Sequence, residues 1–185
     1  MTHLKPLRLA ALVASCVTIA FAAHAETTMT KEQYKAEKDA IEATYKTDKK
    51  ACDSLAGNAK DICVEEAKGK EKVAKAELDN KQEPNAKHAE KLAIAKADAT
   101  YEVAKEKCDD LSGNPKDVCV KEAKASYTKA KADAKATKTS ATAKSDARAD
   151  ANDAQYKAEA EKCDALAGDA KASCVTAAKA RFGKS

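Results

Sequence analysis

Large apolar residues are sparse along this chain, and they fall three and four positions apart in a background of Ala, Lys, Asp and Glu. That spacing belongs to helices with one narrow buried stripe and an otherwise solvated surface. The stripe is clearest through Ile94, Ala97, Tyr101, Ala104, Cys108 and Leu111, a seam of the two-in-seven kind. Helices are predicted over 30–56, 59–82, 86–112, 115–136, 144–167 and 170–182. Polar residues at seam positions, Asp48, Asn152 and Glu159, point to thin hairpins rather than a wide common core. How the hairpins pack on one another stays open.

The breakers between these helices are themselves repeated. Cys-Asp-x-Leu-small-Gly-(Asn/Asp)-x-Lys-x-x-Cys-Val runs from Cys52 to Val64, from Cys108 to Val120 and from Cys163 to Val175, with the copies 56 and 55 residues apart. A fixed period of this length marks one supersecondary unit used three times. In each unit Gly57-Asn58, Gly113-Asn114 or Gly168-Asp169 interrupts helix-forming sequence. Glycine supplies a left-handed residue to end one helix, and Asn or Asp is expected to cap the next. Pro115 is expected at the first helical position after Asn114, where a missing N–H costs nothing.

The cysteines stand symmetrically, five residues before the glycine and five after the Asn or Asp. Antiparallel helices leaving a tight turn bring symmetric positions side by side, as a disulfide requires. Six cysteines allow 15 pairings. The symmetry favours Cys52–Cys63, Cys108–Cys119 and Cys163–Cys174. Seven residues before each first cysteine stands Tyr45, Tyr101 or Tyr156, and three after it Leu55, Leu111 or Leu166, so Tyr, Cys and Leu are expected to share the hairpin seam. Eight residues after the second cysteine, Tyr127 and Phe182 mirror the incoming tyrosines of their copies, which predicts an aromatic pair across each of those hairpins. The first copy has Glu71 there and should close less firmly at that level.

The fold class expected is therefore all-α: three helical hairpins, each stapled by a local disulfide, in an elongated or loosely packed array. The predicted organisation is a signal peptide at 1–25, hairpin repeats at 26–83 and 84–136, a basic Thr/Ser/Ala linker at 137–143, and a third repeat at 144–185. Lys5 and Arg8 precede an uncharged run from Leu9 to Ala23, and Ala23-His24-Ala25 offers a cleavage site before Glu26. Val13-Ala14-Ser15-Cys16 also resembles a lipoprotein box, which makes lipidation of Cys16 the alternative; the apolar run continuing to Ala23 favours cleavage after Ala25. Export to an oxidising periplasm suits structural disulfides. No transmembrane helix is expected in the mature form.

Composition then narrows the function. After residue 25, 32 Lys plus Arg face 30 Asp plus Glu, and 21 large apolar residues stand against 37 alanines. A core this thin needs its staples, and each closes a loop of 12 residues worth about 3 kcal/mol in the chain-entropy model. The ten-residue gap between paired cysteines is not a zinc spacing. His88 is the only histidine after the signal, and neither a Cys-x-x-Cys nor a nucleophile elbow occurs. No catalytic residue, metal ligand, cofactor or small-molecule substrate is assigned. The basic stretch Lys129–Arg148 holds six basic and two acidic residues with no interleaved aromatic, which argues against nucleic acid. It leaves an anionic envelope surface or envelope proteins as expected partners.

The Ala/Lys/Asp/Glu-rich helical composition, as in Lys129-Ala-Lys-Ala-Asp-Ala-Lys135, resembles the long helical section of TolA-like cell-envelope proteins of proteobacteria. The likeness implies an envelope location and a rod-like role, and carries over no functional residue. The stapled hairpins depart from it, as does the expected lack of a retained anchor and of a separate globular C-terminal domain. The function expected is a non-enzymatic structural or protein-interaction module of the periplasm or cell envelope. The alternative is a periplasmic binding or chaperone-like protective protein that uses amphipathic hairpin faces.

Overall fold

The computed structural model describes residues 29–184. The expected signal peptide, its cleavage site and Cys16 lie outside them. The described residues are helical almost throughout: α1 (Lys31–Ala51), a 3₁₀ turn (Cys52–Ser54), α2 (Gly57–Gln82), α3 (Ala86–Cys108), α4 (Gly113–Cys163) and α5 (Gly168–Phe182).

Local chemistry accounts for the ends. At the start of α1, Thr30 and Gln33 form a capping box: each side chain accepts the other residue's backbone N–H, at 3.2 and 2.9 Å. Glu83, Pro84 and Asn85 separate α2 from α3. Pro84 disfavours helical backbone at Glu83. Asn85 then caps α3 by accepting the His88 N–H at 2.8 Å.

Helices α1 to α4 form an open row in which each backbone packs only on its chain neighbours. Contact between α2 and α3 joins the first hairpin to the second, and it is the most extensive helix pairing among the described residues. Small residues make it possible. Buried Gly69 meets Ala99 so closely that a Cβ added at Gly69 would lie 2.8 Å from the Ala99 Cβ, and Ala95, one turn before Ala99 on α3, is buried as well. The fully buried side chains of largest volume are Cys52, Cys108 and Cys163, so the staples themselves supply core.

The predicted linker at 137–143 is not a break. Helix α4 runs through it for 51 residues, about 76 Å at 1.5 Å per residue. The stretch contains neither Gly nor Pro. Two of its three threonines turn their hydroxyls back onto the helix, Thr137 to the Asp133 carbonyl at 2.9 Å and Thr139 to that of Lys135 at 3.0 Å. Polar composition without a steric breaker does not stop a helix held at both ends by tertiary contacts. The first part of α4 packs on α3 and its last part on α5. From Thr139 to Gln155 every residue is exposed.

Candidate functional site

The repeated residues converge at three hairpin tips. Cys52–Cys63, Cys108–Cys119 and Cys163–Cys174 are bonded, with Cα–Cα distances of 5.7 Å in each case. The glycines of the motif hold left-handed backbone, φ +56° at Gly57, +60° at Gly113 and +58° at Gly168, a region that only glycine enters without strain. They open the outgoing helices rather than following the end of the incoming ones. Asn58, Asn114 and Asp169 consequently fall at the second helical position. The residues at the N-cap are Ala56, Ser112 and Ala167, none of which makes a side-chain capping bond. The expected Asn/Asp cap is thus not formed, because the residue sits two steps past the cap position, too far along to turn back on the free amides. Asn58 instead donates its Nδ2 to the Glu106 carbonyl at 2.8 Å, tying the first tip to the second. Pro115 lies at the third helical position, still within the first turn, where its missing N–H has no intrahelical acceptor to lose.

Leu55, Leu111 and Leu166 do not lie on the seam. The regular helices end at Ala51, Cys108 and Cys163, so the heptad cannot be extended three residues further. Each leucine N–H returns to the carbonyl of its cysteine at 3.0 Å, and the side chains emerge at 43%, 44% and 44% exposure. Beside them an ion pair recurs in every copy: Asp53–Lys60 at 3.0 Å, Asp109–Lys116 at 2.9 Å and Asp164–Lys171 at 2.9 Å. Sequence reasoning missed this bridge. Its signal was available, since both residues occur in all three copies of the motif.

One level down, the aromatic expectations hold in geometry. Tyr101 and Tyr127 stack with centroids 4.9 Å apart and planes 19° apart, with the Lys124 ammonium 5.3 Å from both rings. Tyr156 meets Phe182 edge-on at 6.3 Å, and the Asn152 Nδ2 donates to the Phe182 carbonyl at 3.1 Å. In the first hairpin, Tyr45 has Lys49 over its ring, at 6.0 Å, in place of a second aromatic at the mirror position. Glu71 pairs with Lys75 at 2.7 Å, and Lys75 also reaches Glu42 at 3.4 Å. Hydrogen bonding to Glu71 raises the Lys75 pKa against the opposing pull of burial, with Glu42 adding to it. Charge replaces ring contact at this level.

The α2–α3 joint carries its own polar fastening. Burial resists ionisation of Asp98, but the Lys72 ammonium, the Tyr127 hydroxyl and Lys131 outweigh it and hold the carboxyl below its ordinary pKa. At the far end of the first hairpin, the Tyr34 hydroxyl donates to Asp79 at 2.6 Å, which raises the phenol pKa.

Among the described residues, no group of three or more His, Cys, Asp or Glu converges as a metal site, and no helix is long and apolar enough to cross a membrane. Concavities are open grooves between neighbouring helices. Comparison with models of protein families, with curated proteins and with solved structures finds no match.

Proposed function

We propose that this protein is a non-enzymatic helical spacer of the bacterial periplasm or cell envelope that presents stapled hairpin tips to envelope proteins. The observation that carries the reading is α4, a helix of 51 residues with the second tip at its start and the third at its end. The first and second tips stand side by side at one end of the helical row, tied by Asn58 and Glu106. The third lies at the other end of α4, about 76 Å away. Three disulfides fit an oxidising compartment, and the stapled tips are the most rigidly specified parts of a chain with little apolar core. Exposed leucines at such tips are suited to shallow protein contacts.

A photo-crosslinking residue placed in turn at Leu55, Leu111, Leu166 and Ala147, in living cells, tests this reading. Discrete adducts from the tips, with a different partner at each end and none from Ala147, are expected. Identical adduct patterns from all four positions would contradict a spacer with addressed ends.

A further inference from the structure

We infer that the groove between α2 and α3 on one face of the helical row binds a single-chain amphiphile with an anionic head. The argument begins at the Gly69–Ala99 crossing, which floors two grooves, one on each face of the pair. The two differ in chemistry although they share that floor. One is walled by Glu65, Lys68, Lys72, Asp98 and Glu102, where Lys68 pairs with Glu65 at 2.6 Å and Lys72 with Asp98. It is a charged seam with carboxylates in excess.

The other groove is apolar along its length. Val73 of α2 and Val103 and Ala104 of α3 line it beside Ala99, and it holds a volume of about 680 Å³, within the range of small-ligand clefts. Its rim carries three lysines, Lys70, Lys96 and Lys107, against the single carboxylate of Glu66. Lys96 pairs with Glu77 at 3.0 Å across the exposed surface, the other two rim lysines make only long contacts with acids, Lys70 to Asp48 at 4.0 Å and Lys107 to Glu66 at 3.9 Å, and all three are exposed. Such surface pairs are exchanged at little cost. Lys96 and Lys107 stand about 16 Å apart along α3 at 1.5 Å per residue, so a head held by either one leaves the apolar floor between them for the chain. Apolar floor and cationic rim together select an acyl chain with a negative head over a cationic or neutral one. This inference stands apart from the spacer reading, because the groove lies on the side of the row and the tips at its ends.

The test uses the oxidised full chain and three amphiphiles that share one alkyl chain: laurate, dodecyl maltoside and dodecyltrimethylammonium, each below its micelle concentration, titrated by calorimetry. Laurate should bind saturably at one site, at least about tenfold more tightly than the cationic amphiphile. Val73→Asp should weaken laurate about tenfold or more. Lys96→Gln with Lys107→Gln should abolish the preference for laurate over dodecyl maltoside while helicity stays unchanged, and this double variant decides the matter should Val73→Asp unfold. Absence of binding, equal binding of all three amphiphiles, a preference for laurate that survives the double variant, or association with anionic phospholipid vesicles without binding of monomeric laurate would each overturn the inference.

Discussion

The same repeat is joined to its neighbour in two different ways. Between the first and second hairpins the chain breaks at Glu83–Asn85, reverses, and packs α3 against α2 through Gly69 and Ala99. Between the second and third it does not break at all, and α4 carries straight on through residues that no other helix covers. The first joint is a packing interface fastened by Lys72–Asp98 and Asn58–Glu106. The second is held only by the hydrogen bonds and propensity of one helix. A single proline and its capping Asn, against a run of Thr, Ser, Ala and Lys, is enough to turn lateral stacking into end-to-end extension. Coupling between repeats should therefore be strong across the first joint and weak across the second.

The largest effect should come from removing staples. Cys163→Ser with Cys174→Ser should cost about 3 kcal/mol and abolish hydrogen-exchange protection in α5 and the end of α4, while α1 to α3 keep theirs. Cys108→Ser with Cys119→Ser, at similar cost, should also lower protection in α2, because α2 rests on α3. If the second pair of changes left α2 untouched, or the first unfolded the whole chain in one step, the contrast between the joints would fail.

Next in size is the crossing itself. Gly69→Val should destabilise by roughly 1–3 kcal/mol, because even a lone Cβ would come within 2.8 Å of Ala99. The like change in the uncovered helix, Ala147→Val, should cost no more than about 0.7 kcal/mol, its helix propensity alone. Chemical denaturation of both variants measures the difference. Equal losses would place no tight contact at Gly69.

A smaller effect is expected in acid. Asp98 has a depressed pKa in the folded state, so its contribution is present above its unfolded value of about 3.9 and is lost as pH falls through the folded value. Exchange protection across α2 and α3 should drop as pH falls below about 4, and Asp98→Asn should remove that share of the dependence. An unchanged acid profile in the variant would show that the Lys72–Asp98 pair does not fasten the joint.

These contrasts also mark what could be read from residues alone. The positive-φ glycines followed from residue type at a break in helix-forming sequence, and the three disulfides and the ring pairs of Tyr101 with Tyr127 and Tyr156 with Phe182 from mirror symmetry about that turn, a local property that spacing expresses directly. The tip leucines did not. Extending a heptad through Cys52 to Leu55 assumed a helix that in fact ends at Ala51, and no residue type at that point announces the stop. The continuity of α4 was hidden for the opposite reason: Thr137 to Thr142 has a linker's composition but lacks a residue that sterically forbids helix. The α2–α3 packing was not read, because Gly69 is a lone glycine amid good helix formers whose meaning depends on which helix lies opposite. The lysine rim of the groove needed the same knowledge, since Lys70, Lys96 and Lys107 come from two helices whose pairing no local pattern states.

The claim on which the account rests is that α4 is one unbroken helix between the second and third tips, and a distance along it tests that directly. Spin labels introduced as non-natural residues at exposed Ala125 and Lys157 leave all six bonded cysteines in place. Pulsed dipolar spectroscopy on the oxidised protein should give a single narrow distribution centred near about 48 Å, the rise of a continuous helix over that span. A broad distribution, or one centred well below that distance, would mean that residues 137–143 act as a hinge and that the third hairpin is a separate bead.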